Sequence, residues 1–140
     1  MVSSGHICLH ITKTAGGTLK RALENVKNLD VEFIYNKFDQ EALAAKDLSD
    51  VDLIYGHVIF GVGQKLGLGD SPRYMCFMRH PLSRTISHYH HLRNVDKGPV
   101  GDQIRLSENI NDFFENHNHW EFSNFMTRII SGEGRAQGMD

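Results

Sequence analysis

The chain is poor in every feature that would place it outside the ordinary globular class. No apolar run approaches the roughly 20 residues that a membrane span requires, and none is expected here. The first residues, Met-Val-Ser-Ser-Gly-His, carry neither a basic n-region nor a long apolar h-region, so a cytoplasmic location is expected. The two cysteines, Cys8 and Cys76, make no disulfide framework; both fall in predicted strands and read as buried thiols of a reducing compartment. A net charge of −2 excludes any general attraction to nucleic acid or acidic membranes, so an anionic ligand must be held by a local cluster. The Walker A pattern GxxxxGK[ST] is absent and no clear Walker B strand is present, which counts against a kinase or NTPase. There is no HExxH, and neither cysteine stands at a ligand spacing from the histidines.

What is present suits one soluble domain: 140 residues, 40% hydrophobic and 23% charged. We read residues 1–132 as a single α/β domain and 133–140 as a polar tail. The informative stretch is His6–Thr18, HICLHITKTAGGT. Ile7, Cys8, Leu9 and Ile11 form a short apolar run, followed by Lys13-Thr14, the pair Gly16-Gly17 and Thr18. Leu19, Ala22, Leu23 and Val26 then recur at helical spacing. Strand, glycine turn with a lysine, helix is the order of an anion site. The glycines can turn backbone N–H groups inward, the helix N-terminus adds partial positive charge, and lysine supplies a mobile point charge. An ordinary βα turn has the same outline.

Further along, Leu29–Tyr35 alternates as a strand, and Phe38–Lys46 reads as a short helix with Asp39 as N-cap. Val51–Tyr55 is a third strand that ends at Gly56-His57, and glycine-rich Val58–Gly69 is a mobile connection or a short irregular helix. Arg73–Met78 reads as a buried strand running into Arg79-His80-Pro81, with proline well placed in the first turn of a helix. Leu82, Ile86 and Tyr89 mark that helix's expected buried face, and Ser83, Ser87, His90 and His91 a more polar stripe. Arg84 and Arg93 read as solvated charges or as part of a positive rim. Asn94–Gln103 looks like an exposed loop. Ile110, Phe113 and Phe114 suggest a short helix to about His117, and Phe122, Phe125, Met126, Ile129 and Ile130 a last one.

Strands alternating with helices imply a three-layer α/β fold, a mainly parallel sheet with helices on both faces. In such sheets ligands bind beyond the carboxyl ends of the strands. Lys13-Thr14, His57 and Arg79 follow three predicted strands, so a parallel sheet would bring them to one edge.

These residues resemble a known family, the sulfotransferases that use 3′-phosphoadenosine 5′-phosphosulfate (PAPS). HITKTAGGTL is similar to their 5′-phosphosulfate loop. FMRHPLSRTISHYHHLR is similar to their 3′-phosphate segment, with an arginine ending a strand and a serine in the next helix. Tyr55-Gly56-His57-Val58 resembles the element that carries a catalytic histidine in the 2-O-sulfotransferase branch, and Asn124–Gly132 resembles a segment of bacterial members. The matches span Ile7 to Gly132 in the family's order. Thr12 replaces the family's usual proline, His80 replaces a frequent Asp, and the chain is shorter than most members.

The resemblance implies a P-loop-NTPase-like sulfotransferase fold in shortened form, and transfer of a sulfuryl group from PAPS to an acceptor hydroxyl of a carbohydrate or small alcohol. A protein tyrosine remains open as acceptor, and so does a non-catalytic nucleotide-binding relative. It implies that Lys13 and His57 are catalytic, and that Lys13, Thr14, Ala15, Gly16, Gly17 and Thr18 hold the 5′-phosphosulfate. Arg79 and Ser87 would hold the 3′-phosphate. Asn124, Thr127 and Arg128 are candidates to touch substrate or nucleotide. His88, His90 and His91, with His117 and His119, invite a metal hypothesis, but the transfer needs no metal and none is expected.

Overall fold

The structure, a computed structural model, describes residues 5–69 and 71–133. The tail expected at 133–140 lies outside the described residues except for Glu133. The chain is α/β: four short parallel strands in the order β2-β3-β1-β4, with seven helices among the described residues. It divides into two compact units, one from residues 1–78 with 126–140, the other Arg79–Phe125.

In the first unit the elements are β1 (His6–Leu9), α1 (Gly16–Glu24), β2 (Val31–Ile34), α2 (Lys37–Ala44), β3 (Leu53–Gly56), α3 (Val62–Lys65) and β4 (Arg73–Cys76). Side chains alternate across a strand, and the two faces of the sheet therefore have separate cores. Ile7, Leu9, Ile34 and Ile54 pack with Leu43 of α2, Val62 of α3 and the later Ile129. Cys8, Leu53 and Tyr55 pack instead with Leu19 and Leu23 of α1. Helices thus cover both faces, as expected. The segments leaving β1 and β3 diverge to opposite faces of the sheet, the arrangement beside which ligands bind in open parallel sheets.

Gly56 closes β3 with Ile34 opposite it in β2. A Cβ on Gly56 would overlap the Ile34 carbonyl, which accepts the His57 N–H at 2.8 Å. Only glycine lets the two strand ends approach this closely.

Two local expectations change, and a third is resolved between its alternatives. Asn36, not Asp39, caps α2; its side chain accepts from the Asp39 N–H while Asp39 accepts from the Asn36 N–H in a reciprocal capping box. Glycine-rich 58–69 contains a real helical turn, α3, whose Val62 is buried beneath it. The strand at Arg73–Met78 stops at Cys76 and is not buried: exposure alternates along it, and Met75 is 48% exposed. The reason is that Tyr74 and Cys76 pack on the first core, whereas among the described residues the core beneath α1 does not extend to β4.

The second unit is helical: α4 (Pro81–Val95), α5 (Pro99–Leu106) and α6 (Ile110–Asn116), with Tyr89, Ile104 and Phe113 at its core. A further helix, α7 (Phe125–Ser131), begins at the end of this unit and continues in the first. The buried face of α4 differs from expectation. Leu82 is 62% exposed and Ile86 is exposed, whereas Arg84 and His88 are 2% and 3% exposed beside the buried Tyr89. The Arg84 guanidinium donates to the Glu121 carbonyl and lies 4.4 Å from the Phe125 ring centre, and His88 pairs with the Glu121 carboxylate. Arg84 is therefore not a solvated charge. Nor is Asn94–Gln103 all loop, because Pro99 starts α5 and Ile104 is fully buried.

Candidate functional site

The stretch after β1 makes the expected turn into α1, but with different residues bearing the unusual backbone. Left-handed conformations fall on Lys13 (φ 69°) and Ala15 (φ 68°), and neither Gly16 nor Gly17 has one. Ala15 is the N-cap of α1 and offers no side-chain cap. Its carbonyl accepts from the Thr18 and Leu19 N–H groups at 3.0 and 3.1 Å. The N–H groups of Gly16 and Gly17 thus begin the helix, where an α-helix has no carbonyl of its own to offer them. Thr14 is buried, and its hydroxyl donates to the Ile11 carbonyl at 2.8 Å, pinning the base of the turn. That hydrogen is committed within the turn; what Thr14 offers an anion is its N–H. Lys13 is half-buried, while Thr18, Ala15 and Gly17 are exposed.

Gly16 is needed because a Cβ there would overlap the ring of His10, a residue that no local sequence pattern marks. His10 follows β1 directly and donates its backbone N–H to the Gly56 carbonyl at 2.7 Å. Its ring stacks on Tyr55 with centres 5.2 Å apart and planes at 21°. The Tyr55 hydroxyl in turn donates to the Gly16 carbonyl at 2.8 Å. Burial, followed by Tyr35 and Cys8, pushes the Tyr55 phenol well above its usual range, so it remains a donor. Gly16→Ala should drive the His10 ring out of this place and cost about 1–3 kcal/mol, read from the urea midpoint.

His57, just beyond β3, is exposed, and its ring centre lies 4.5 Å from that of His10 and 5.2 Å from that of Tyr35. Burial first, then the charge of His57, lowers His10 to about 4. His10 is therefore a neutral imidazole at any pH where the protein would work. His57 also lines a cleft of about 440 Å³ with Gln40, Phe60, Val62 and Lys65. The cleft wall is tied down by the Phe60 N–H, which donates to the Ile129 carbonyl at 2.9 Å. Two ionisable side chains line it, His57 and Lys65, both basic.

The glycine turn and His57 therefore meet at the carboxyl ends of β1 and β3, as the parallel arrangement predicts. The other candidates are distributed differently. Arg79, exposed, and Ser87, half-buried in α4, belong to the second unit, as does Asn124, whose φ of 51° is left-handed. Thr127, exposed, and Arg128, half-buried, belong to the first unit. Of the histidines weighed as metal ligands, His88 is engaged by Glu121. Among the described residues no group of three or more His, Cys, Asp or Glu side chains is assembled for a metal ion. No helix among them is long and apolar enough to cross a membrane. The Cys8 thiol is buried and pushed up to about 11, by burial first and then by Cys76, which keeps it protonated and inert.

One signal could have found His10. Two adjacent parallel strands, β1 and β3, are each followed by a histidine at the same register position, since Leu9 pairs with Gly56.

The fold and site define an α/β protein with a glycine turn and a histidine pair at the carboxyl edge of a parallel sheet. Comparison with protein-family models, with curated proteins and with solved structures gives no match to this chain.

Proposed function

We propose that the protein is a PAPS-dependent sulfotransferase, with a P-loop-like sulfotransferase fold, that acts on a hydroxyl of a carbohydrate or small alcohol. The observation that carries the reading is the position of His57. It touches the strand-end cluster that supports the glycine turn and also lines a cleft large enough for an acceptor. The residue types of the turn suit a phosphosulfate: two N–H groups at a helix start, a lysine, and no carboxylate in 10–18.

In this reading an acceptor hydroxyl enters the cleft beside His57. The imidazole takes its proton as the acceptor oxygen bonds to sulfur. The bond from sulfur to the phosphate oxygen breaks, and Lys13 neutralises the charge that gathers on that oxygen. Adenosine 3′,5′-bisphosphate leaves and the proton passes from His57 to solvent. Gly16 and Gly17 hold the 5′-phosphate by their N–H groups with Thr14, Ala15 and Thr18 around them, while Arg79 and Ser87 supply the charge-assisted contacts to the 3′-phosphate. As in phosphoryl transfer, alignment and charge stabilisation do most of the work, and no metal is required.

The test is a sulfate-transfer assay with radiolabelled PAPS over a panel of sugars and simple alcohols. His57→Ala should lower kcat roughly 10²–10⁴-fold, the usual contribution of a general base, while leaving nucleotide affinity near the wild-type value. Full activity in that variant would overturn the assignment of the base. Tight binding of the bisphosphate with no transfer to any acceptor would make the chain a non-catalytic relative.

A further inference from the structure

The geometry points to His10 as a positioning residue that fixes the ring of His57 against the glycine turn. The inference rests on the sulfuryl-transfer reading of His57 and extends it to a second imidazole. His57 is exposed, and an exposed side chain at a strand end has rotamers to lose before it can act as a base. Two rings limit that freedom: His10 lies tilted at 48° to it with centres 4.5 Å apart, and Tyr35 stands at 83° to it with centres 5.2 Å apart.

His10 can serve as a stop because it is itself held. Its backbone is tied to Gly56, the residue before His57, and its ring lies on Tyr55. Beneath it, Gly16 has no Cβ to displace the ring, and Tyr55 is bonded to the carbonyl of that same glycine. Its Nδ1 is buried with no hydrogen-bond partner among the described residues, an arrangement a neutral ring tolerates and an imidazolium would not. Because His10 stays uncharged, it does not repel the positive charge that His57 acquires on taking the acceptor's proton. The same ring touches the start of α1 and the base, so one side chain sets the angle of His57 relative to the turn.

A double-mutant cycle tests this. His10→Ala should lower kcat about 10- to 100-fold, the effect of a misplaced reacting group. KM for PAPS should change less than about threefold, because the N–H groups of the turn remain. In a His57→Ala background, adding His10→Ala should cost less than about twofold more, since its effect passes through a ring no longer there. Losses that multiply in the double variant, or an unchanged kcat in His10→Ala, would overturn the inference. His10→Gln keeps a neutral planar group of similar reach; it stands in for the alanine variant if that one does not fold, and should retain more of the rate.

A second readout needs no catalysis. In wild-type protein the His57 ring protons should give one narrow set of NMR signals, displaced by the neighbouring rings from the positions of a solvent-exposed histidine. In the His10 variants they should move toward those positions and broaden. Unchanged signals would overturn the inference on their own. Absence of any transfer by the wild type, with the signals behaving as expected, would instead overturn the reaction and leave the ring contact established.

Discussion

In the proposed reaction, replacing Lys13 by alanine should lower sulfuryl transfer by roughly 10²–10³-fold, the scale of removing one preorganised donor from a developing oxyanion. The loss should fall on kcat more than on KM, because charge on the bridging oxygen grows only as the S–O bond breaks. Lys13 has a left-handed backbone at φ 69°, and alanine meets the same strain there, so this variant isolates the ammonium. Lys13→Arg should recover part of the rate, since its charge is retained but its planar fork cannot approach one oxygen as a point charge does. Steady-state kinetics at saturating acceptor checks both. Equal rates for wild type and Lys13→Ala would remove the lysine from the chemistry.

The largest effect on stability is expected in the second unit, at Arg84. The side chain is 2% exposed, bonds the Glu121 carbonyl and covers the Phe125 ring. Burial lowers its guanidinium to about 10, with Glu121 opposing the shift, and it stays charged at neutral pH. Arg84→Ala removes the donor, leaves a cavity and exposes one face of an aromatic ring, a loss of roughly 2–4 kcal/mol. Arg84→Met refills much of the volume and should recover about half of it. Urea unfolding followed by Trp120 fluorescence would separate the two.

The same cluster gives stability a pH dependence. Burial by itself would raise the Glu121 carboxyl. The hydrogen bond from His88 and the charges of His88, His119 and Arg84 outweigh it and hold the group below its ordinary value of 4.5. A depressed carboxyl contributes its full share above 4.5 and loses it as pH falls through the lowered value. Glu121→Gln should therefore be less stable than wild type at neutral pH and converge with it in acid, as measured by melting temperature across that range.

How much of this was legible in the chain depended on whether a signal was local. The three strands were readable because each apolar run stops at a glycine or a polar residue, and β1, β3 and β4 begin or end within a residue or two of those runs. The turn after β1 was legible as a turn, but not the role of its glycine. Gly16 is fixed by the ring of His10 and the hydroxyl of Tyr55, and Tyr55 lies on another strand. Helix α4 kept its period and hid its buried face. Arginine and histidine read as solvent-facing unless a partner is known, and Glu121 lies far along the chain from both. The exposure of β4 follows from how far the core beneath α1 extends, which no run of residues encodes locally. Gly98-Pro99 reads as a loop because both residues break helices from within, whereas proline at the first position starts one.

The measurement that bears most directly on the central claim is calorimetric titration with adenosine 3′,5′-bisphosphate, beside AMP and ATP. The sulfotransferase reading predicts binding that requires the 3′-phosphate and weakens about 10- to 100-fold in Arg79→Ala, the loss of one charge-assisted grip. No binding to any of the three nucleotides, or binding indifferent to the 3′-phosphate and to Arg79, would contradict it.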